Sequence, residues 1–266
     1  MKKLELLWSD EFDAAAGSSV NEDFWNFDIG DGTAAGIPGW GNQEHEWYRP
    51  EQAQHDGRGN LVITAELADP ATAPLAYYGK PAEWYSSKLT TKGKVEVQYG
   101  LITARVKVPT GAGSWPAFWM LGAGLSKGEV WPDCGEIDIV EAKGSQPYTA
   151  FGTLHGPGYN GQAGTQRGSA FLSPGPALSN DYHVYAIDWK PNQIDFSVDG
   201  KVYFTHSAAD VAPNKWVFNQ EFFLILNLAT GGNFEPEIDP MLQSASMSID
   251  YIRYYSVNGQ GKLYRR

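Results

Sequence analysis

Short runs that alternate apolar and polar residues recur along the chain, each closed by turn-forming residues. They read as half-buried strands at 60–67 (NLVITAEL), 93–109 (GKVEVQYGLITARVKVP), 117–121 (AFWML), 135–142 (GEIDIVEA) and 148–155 (YTAFGTLH). The pattern resumes at 182–189 (YHVYAIDW), 193–200 (QIDFSVDG), 201–205 (KVYFT), 222–229 (FFLILNLA) and 246–257 (SMSIDYIRYYSV). Asp199-Gly200-Lys201 reads as a tight hairpin turn between two of these runs. Helical periodicity is confined to two short stretches, NEDFWNF (21–27) and AADVAPNKW (208–216). No fixed repeat and no Pro/Ser-rich linker divides the chain. The pattern therefore predicts an all-β fold in a single domain over 1–266, a β-sandwich of two antiparallel sheets of jelly-roll type. Two long polar segments, 28–44 and 156–180, read as loops; Trp40 and Asn42 mark the first as a binding loop.

One strand breaks the alternation. WPDCGEIDIVEAKG places Glu136, Asp138 and Glu141 among Ile137, Ile139 and Val140. Glu136 and Asp138 share a face by the period-two rule, whereas Glu141 falls on the other unless one residue is extra. In the plain reading this is an amphipathic strand with a charged solvent face. In the functional reading a β-bulge between Asp138 and Glu141 restores the phase and lines up three carboxyls on one face. Like charges along one face repel, and the flanking residues are aromatic or apolar rather than basic, which favours the second reading.

The composition narrows the partners. With 30 Gly, 16 Pro, 10 Trp and 14% aromatic residues, the chain suits a turn-rich β-fold with a ring-binding surface. A net charge of −11 and no basic stripe argue against nucleic acid and against an anionic membrane surface. Cys134 is the single cysteine, so no intrachain disulfide forms and it reads as a small packed residue. MKKLELLWSDEF is interrupted by Glu5 before any apolar run of signal-peptide length, so no signal peptide is expected in this sequence. No stretch reaches the roughly 20 apolar residues of a membrane span. GPGYNG (156–161) fits the dinucleotide pattern GxGxxG, yet it opens no helix and contains Pro157, so it reads as a loop.

WPDCGEIDIVE resembles the catalytic signature of glycoside hydrolase family 16, in the ExDxxE form that carries a bulge. LWSDEF, GWGNQEHEWY, GNLVITA, SSKLTTKGK, YGLITARVKVP, WPAFWML, GTLHGPGY, LILNLATGGN and IDYIRYY resemble the laminarinase-like branch in the same order, from Trp8 to Tyr255. The resemblance implies a jelly-roll sandwich with a substrate cleft on its concave sheet, and a retaining endo-β-1,3-glucanase acting on laminarin-like glucans. It makes Glu136 the nucleophile, Glu141 the acid and base, and Asp138 the group that balances charge between them.

The resemblance also implies substrate contacts from Asn42, Lys88, Trp115, Trp119, Trp131 and His155. Trp115 and Trp119 lie four residues apart and so share a strand face; an indole suits the apolar face of a sugar. Lys88 stands where the branch often has arginine and lacks its planar fork. A structural calcium is implied at Glu11, Gly59 and Asp250, and no cofactor for catalysis. The expected partner is a polysaccharide, met by a monomer outside the cytoplasm. Mixed-linkage glucanase, another activity of the family, or a non-catalytic β-glucan-binding protein are the alternatives; binding proteins of this type typically lose a catalytic glutamate, and both are present here.

Overall fold

The structure, a computed structural model, describes residues 2–161 and 167–266. The first part of the chain supplies β1 (Leu4–Asp10), β2 (Asn26–Asp28), β3 (Glu46–Tyr48), β4 (Ala53–His55), β5 (Leu61–Leu67), β6 (Trp84–Ser86) and β7 (Lys88–Thr90). The middle supplies β8 (Val95–Gln98), β9 (Gly100–Lys107), β10 (Ser114–Gly122), β11 (Glu136–Ala142), β12 (Thr149–His155) and β13 (Arg167–Leu172). There follow β14 (His183–Lys190), β15 (Gln193–Val198), β16 (Lys201–Ser207), the four-residue helix α1 (Ala208–Val211), β17 (Phe222–Thr230), β18 (Ser244–Val257) and β19 (Lys262–Arg265).

The strands form two sheets. One runs β16-β15-β14-β9-β18-β5-β6-β3, with β1 added on β18 and β4 on β5. The other runs β13-β12-β11-β10-β17-β7-β2, with β8 on β17 and β19 on β8. Pairing is antiparallel except between β3 and β6, which run parallel. Between the sheets lies a core that includes Trp25, Phe118, Trp189, Phe196, Phe218 and Phe222, all essentially buried. No helix of the described residues is long and apolar enough to cross a membrane.

Strand parity sorts the second sheet into two faces. On β17, Phe222, Leu224, Leu226 and Leu228 enter the core cluster, so Phe223, Ile225, Asn227 and Ala229 point the other way. On β10, Phe118 and Met120 go into the core and Trp115, Ala117 and Trp119 turn outward. The outward face carries the chemistry.

Several expectations from the pattern need correction. The run 93–109 is not one strand: Tyr99 and Gly100 take positive φ (61° and 89°), and the chain passes from β8 in one sheet to β9 in the other. Glycine is required there, because a Cβ at residue 100 would collide with the Tyr255 carbonyl oxygen. NEDFWNF is a turn, closed by the Phe24 and Trp25 amides on the Asn21 carbonyl, and leads into β2. The segment 156–180 contains a strand, β13, paired with β12; the part of that loop reading at 162–166 lies outside the described residues. Asp199 and Gly200 both have positive φ (49° and 76°), the mirror-image turn expected for a two-residue hairpin, and join β15 to β16.

Candidate active site

The parity problem of the acidic strand is solved by a bulge. Against β12, Asp138 pairs with Thr153 and Glu141 with Phe151, so three steps on β11 match two on its neighbour. Against β10, Phe118 pairs with Val140 and Trp119 with Asp138, leaving Ile139 as the extra residue. The core confirms the phase change: Ile137, Ile139, Val140 and Ala142 are all interior. Two successive apolar residues enter the core, and Glu136, Asp138 and Glu141 all emerge on the outer face.

Register then builds the site across the sheet. One row reads Asp28, Lys88, Asn227, Ala117, Glu141, Phe151. The next contains Thr90, Ile225, Trp119, Asp138 and Thr153, and beyond it Leu121, Glu136 and His155 align. Glu136 and Glu141 thus stand two rows apart, with Asp138 between them.

Each glutamate is met by an indole donor. Trp131 Nε1 donates to Glu136 Oε2 at 2.9 Å, and Trp115 Nε1 donates to Glu141 Oε1 at 3.0 Å. His155 Nε2 lies 3.2 Å from Asp138 Oδ2 and 3.6 Å from Glu136 Oε1. Burial lowers the His155 pKa, but the close Asp138 carboxylate and the charge of Glu136 outweigh it and push it up to about 10, which favours the cationic ring.

Both glutamates are pushed up to about 8, by burial first and by the Asp138 charge second. Burial alone therefore does not distinguish them. His155 and an indole hydrogen bond favour the ionised form of each, from Trp131 at Glu136 and from Trp115 at Glu141, and Lys88 adds cationic support at Glu136. The two carboxyls repel each other's charge, so the loss of one proton holds the other glutamate in its neutral form.

The glycine-rich segment borders this face. Its Trp40 has φ 52°, held by a hydrogen bond from Nε1 to the Gly30 carbonyl at 3.1 Å and by the Tyr48 ring at 5.6 Å. Asn42 donates to Glu44 Oε1 at 3.1 Å, and its carbonyl accepts the Asn233 amide at 2.7 Å. That approach needs Gly232, at φ 85°, where a Cβ would lie 2.8 Å from the Asn42 oxygen. Lys88 is only 7% exposed and its ammonium sits 4.1 Å from the Trp40 ring centre, 5.3 Å from that of Trp119 and 3.7 Å from Asp28 Oδ2. It staples the loop to the sheet by cation–π contacts as well as bordering the site. Trp131, at 42%, is the most exposed of the predicted indoles.

The sequence pattern of Glycosyl hydrolases family 16 matches residues 42–253. The chain belongs to that family. A β-glucanase of Rhodothermus marinus is 39% identical over 264 residues, covering 94% of this chain and 85% of the relative. Among solved structures, the laminarinase catalytic domain of Thermotoga maritima is 43% identical with a TM-score of 0.85, covering 95% of this chain and 98% of that one. The endo-β-1,3-glucanase of Pyrococcus furiosus is 41% identical with a TM-score of 0.86, covering 96% and 95%.

In this family 16 chain the expected site residues fall into two places. Glu136, Asp138, Glu141, Trp115, Trp119, Trp131, His155, Lys88 and Asn42 converge on the outer face of the second sheet or its bordering loop. Glu11, Gly59 and Asp250 belong to the other sheet's surroundings. There Glu11 is gripped by Arg253, with contacts of 3.0 and 2.7 Å, and Asp250 by Arg105 at 2.6 Å. These are surface ion pairs, each worth about 1 kcal/mol or less, so a calcium ion at Glu11, Gly59 and Asp250 would compete with the two arginines for its carboxylates. Among the described residues, the one convergent set of His and carboxylate ligand atoms is Glu136, Asp138 and His155, within 4.8 Å, and their own ion pairs account for it.

Glu44, Glu46, Tyr48 and Asn227 are functional candidates that the strand pattern does not single out, although GWGNQEHEWY and LILNLATGGN contain them. A signal exists: three polar residues alternate at 44, 46 and 48, and an asparagine sits inside an otherwise apolar strand. Glu46 is 1% exposed; its Oε2 accepts from the Thr230 amide at 2.6 Å and hydroxyl at 3.2 Å, while Oε1 receives no hydrogen bond. Burial and then the Glu44 charge hold its carboxyl well above the carboxylate range.

Such a group keeps a proton that the unfolded chain releases above the ordinary glutamate value of 4.5, so its stabilising contribution is lost as pH rises from there. Glu136 and Glu141 act in the same sense up to about 8. His155 contributes fully below 6.5 and loses its contribution on the way to about 10. Glu46→Gln is therefore expected to flatten the fall in melting temperature as pH rises above 4.5, gaining most at the alkaline end. One proton difference corresponds to a slope of about 1.4 kcal/mol per pH unit. Melting curves across that range check it, and parallel curves for variant and parent would refute the neutral Glu46.

Proposed function

We propose that this chain is an endo-acting, retaining β-1,3-glucanase that hydrolyses laminarin-like β-glucans. The observation that carries the reading is the bulge, which brings Glu136 and Glu141 to one face while each accepts a hydrogen bond from its own indole. The names of the relatives, a β-glucanase and two enzymes of β-1,3-glucan or laminarin breakdown, support the substrate class.

In the first step the ionised Glu136 attacks the anomeric carbon while neutral Glu141 gives its proton to the leaving oxygen. A glycosyl ester on Glu136 results. Glu141, now a carboxylate, removes a proton from water, which displaces Glu136 and restores both groups. Asp138 and the cationic His155 hold the charge between the two sites as the negative charge moves from one glutamate to the other. No step calls on a cofactor. The reading includes action as a monomer, and a polymeric substrate supports work outside the cytoplasm.

Incubation with laminarin is expected to release short oligosaccharides early, with slower release from mixed-linkage glucan. Reducing-end assays with product sizing over time check this. Binding of laminarin without new reducing ends would replace the enzyme reading with that of a glucan-binding protein.

A further inference from the structure

A chain of buried hydrogen bonds links the glycine-rich loop to the outer face of the sheet. Its polarity can be worked out from one end. The indole Nε1 of Trp119 can only donate, so the atom 2.7 Å from it on Asn227 is the amide oxygen. The Asn227 nitrogen then faces the Tyr48 oxygen at 3.0 Å and donates to it. Tyr48 has one proton, and it goes to Glu44 Oε2 at 3.0 Å. The other Glu44 oxygen accepts from Asn42 at 3.1 Å. Tyr48, Glu44 and Asn227 are all buried, so the two inner links are shielded from bulk water, while the end links to Trp119 and Asn42 are part-buried.

We propose that Tyr48 and Asn227 are positioning residues that set the Trp119 indole and the Asn42 side chain in register, so that the sheet and the loop present their sugar contacts together. Neither residue touches the reacting atoms. The inference rests on the reading that Asn42 and Trp119 meet the glucan. The geometry explains an otherwise costly feature: an asparagine on a strand whose residues are all buried, in a row between Lys88 and Ala117. It also explains why Glu44 is retained as an acceptor at the junction, since both Tyr48 and Asn42 spend a proton on it.

The test uses the full chain with laminarin as substrate. Tyr48→Phe removes one hydroxyl and breaks the relay in its middle, and the near-isosteric Asn227→Asp reverses its polarity by presenting an acceptor to Tyr48. Each is expected to raise KM for laminarin about tenfold while kcat falls by less than about threefold. Asn42→Ala, measured in both backgrounds, gives a stronger readout. In the parent it raises KM; in Tyr48→Phe it is expected to add little, because the loop contact is already out of place.

Effects that multiply independently, or variants with lowered melting temperature but unchanged KM, would reduce Tyr48 and Asn227 to ordinary core residues and overturn the proposal. If Tyr48→Phe does not fold, the Asn227→Asp and Asn42→Ala pair decides by the same criterion. Failure of the parent protein to cleave any β-glucan would instead sink the functional reading, which keeps the two failures apart.

Discussion

Replacing Glu136 by glutamine is expected to lower kcat on β-1,3-glucan by a factor on the order of 10⁴ or more while glucan binding is nearly retained. Glutamine keeps the volume and an acceptor for the Trp131 indole, which donates to Glu136 at 2.9 Å, so the local packing survives. What it loses is the nucleophilic charge that attacks the anomeric carbon. The charge balance also changes, because the cationic His155, 3.6 Å from Glu136, keeps only Asp138 and Glu141 as acidic neighbours. Steady-state kinetics together with a binding isotherm on laminarin separate the two effects. Product stereochemistry adds a sharper check: with Glu136→Ala, an activated glycoside and azide, the α-glycosyl azide is expected, since azide enters from the face the carboxylate has vacated. Loss of binding without loss of turnover per bound substrate would overturn the assignment of Glu136.

Glu141→Ala is expected to behave differently, and the difference identifies the acid. Turnover of laminarin should fall by roughly 10³-fold, because a sugar leaving group needs the proton. An aryl glycoside with an acidic phenol leaves without that help, so its first step survives and the glycosyl-enzyme accumulates. Azide then replaces water at the second step, and the product expected is the β-glycosyl azide, of retained configuration. The Trp115 indole, which donates to Glu141 at 3.0 Å, loses its partner in this variant, so a modest loss of stability should accompany the kinetic effect. The α-azide from Glu141→Ala, or the β-azide from Glu136→Ala, would exchange the two roles.

These expectations depend on a feature that residue spacing alone makes legible. Two isoleucines at 137 and 139 set one phase, and Glu141 contradicts it, so an extra residue is required if all three acids are to face one way. The register against β12 supplies it between Asp138 and Glu141. The spacing of Trp115 and Trp119 places them on one face, and both indoles do hydrogen-bond on that face, one to Glu141 and the other to Asn227. The turn at Asp199-Gly200 is equally readable, because its conformation needs positive φ at both residues.

Other features leave little trace in the pattern. The strands at Glu46–Tyr48, Lys88–Thr90 and Asn26–Asp28 are three residues long, too short to show a period. The resemblance of SSKLTTKGK implies a substrate contact from Lys88, but its burial between two indoles depends on a loop some fifty residues earlier in the chain. Glu44, Tyr48 and Asn227 join only when β17 and the start of β3 are brought together. The ion pairs of Glu11 with Arg253 and of Asp250 with Arg105 are equally absent from the spacing of those residues along the chain.

The all-β class, the acidic strand and the break of phase at Glu141 are legible in the residues alone, because these rest on the period-two geometry of a strand and on which side chains water tolerates. Which charges stand beside which carboxyl, how the Trp119 indole connects to Asn42, and what holds the Glu46 carboxyl above the carboxylate range emerge on folding. Those depend on distance and desolvation among residues remote in the chain, and neither is written in the spacing of residues along it.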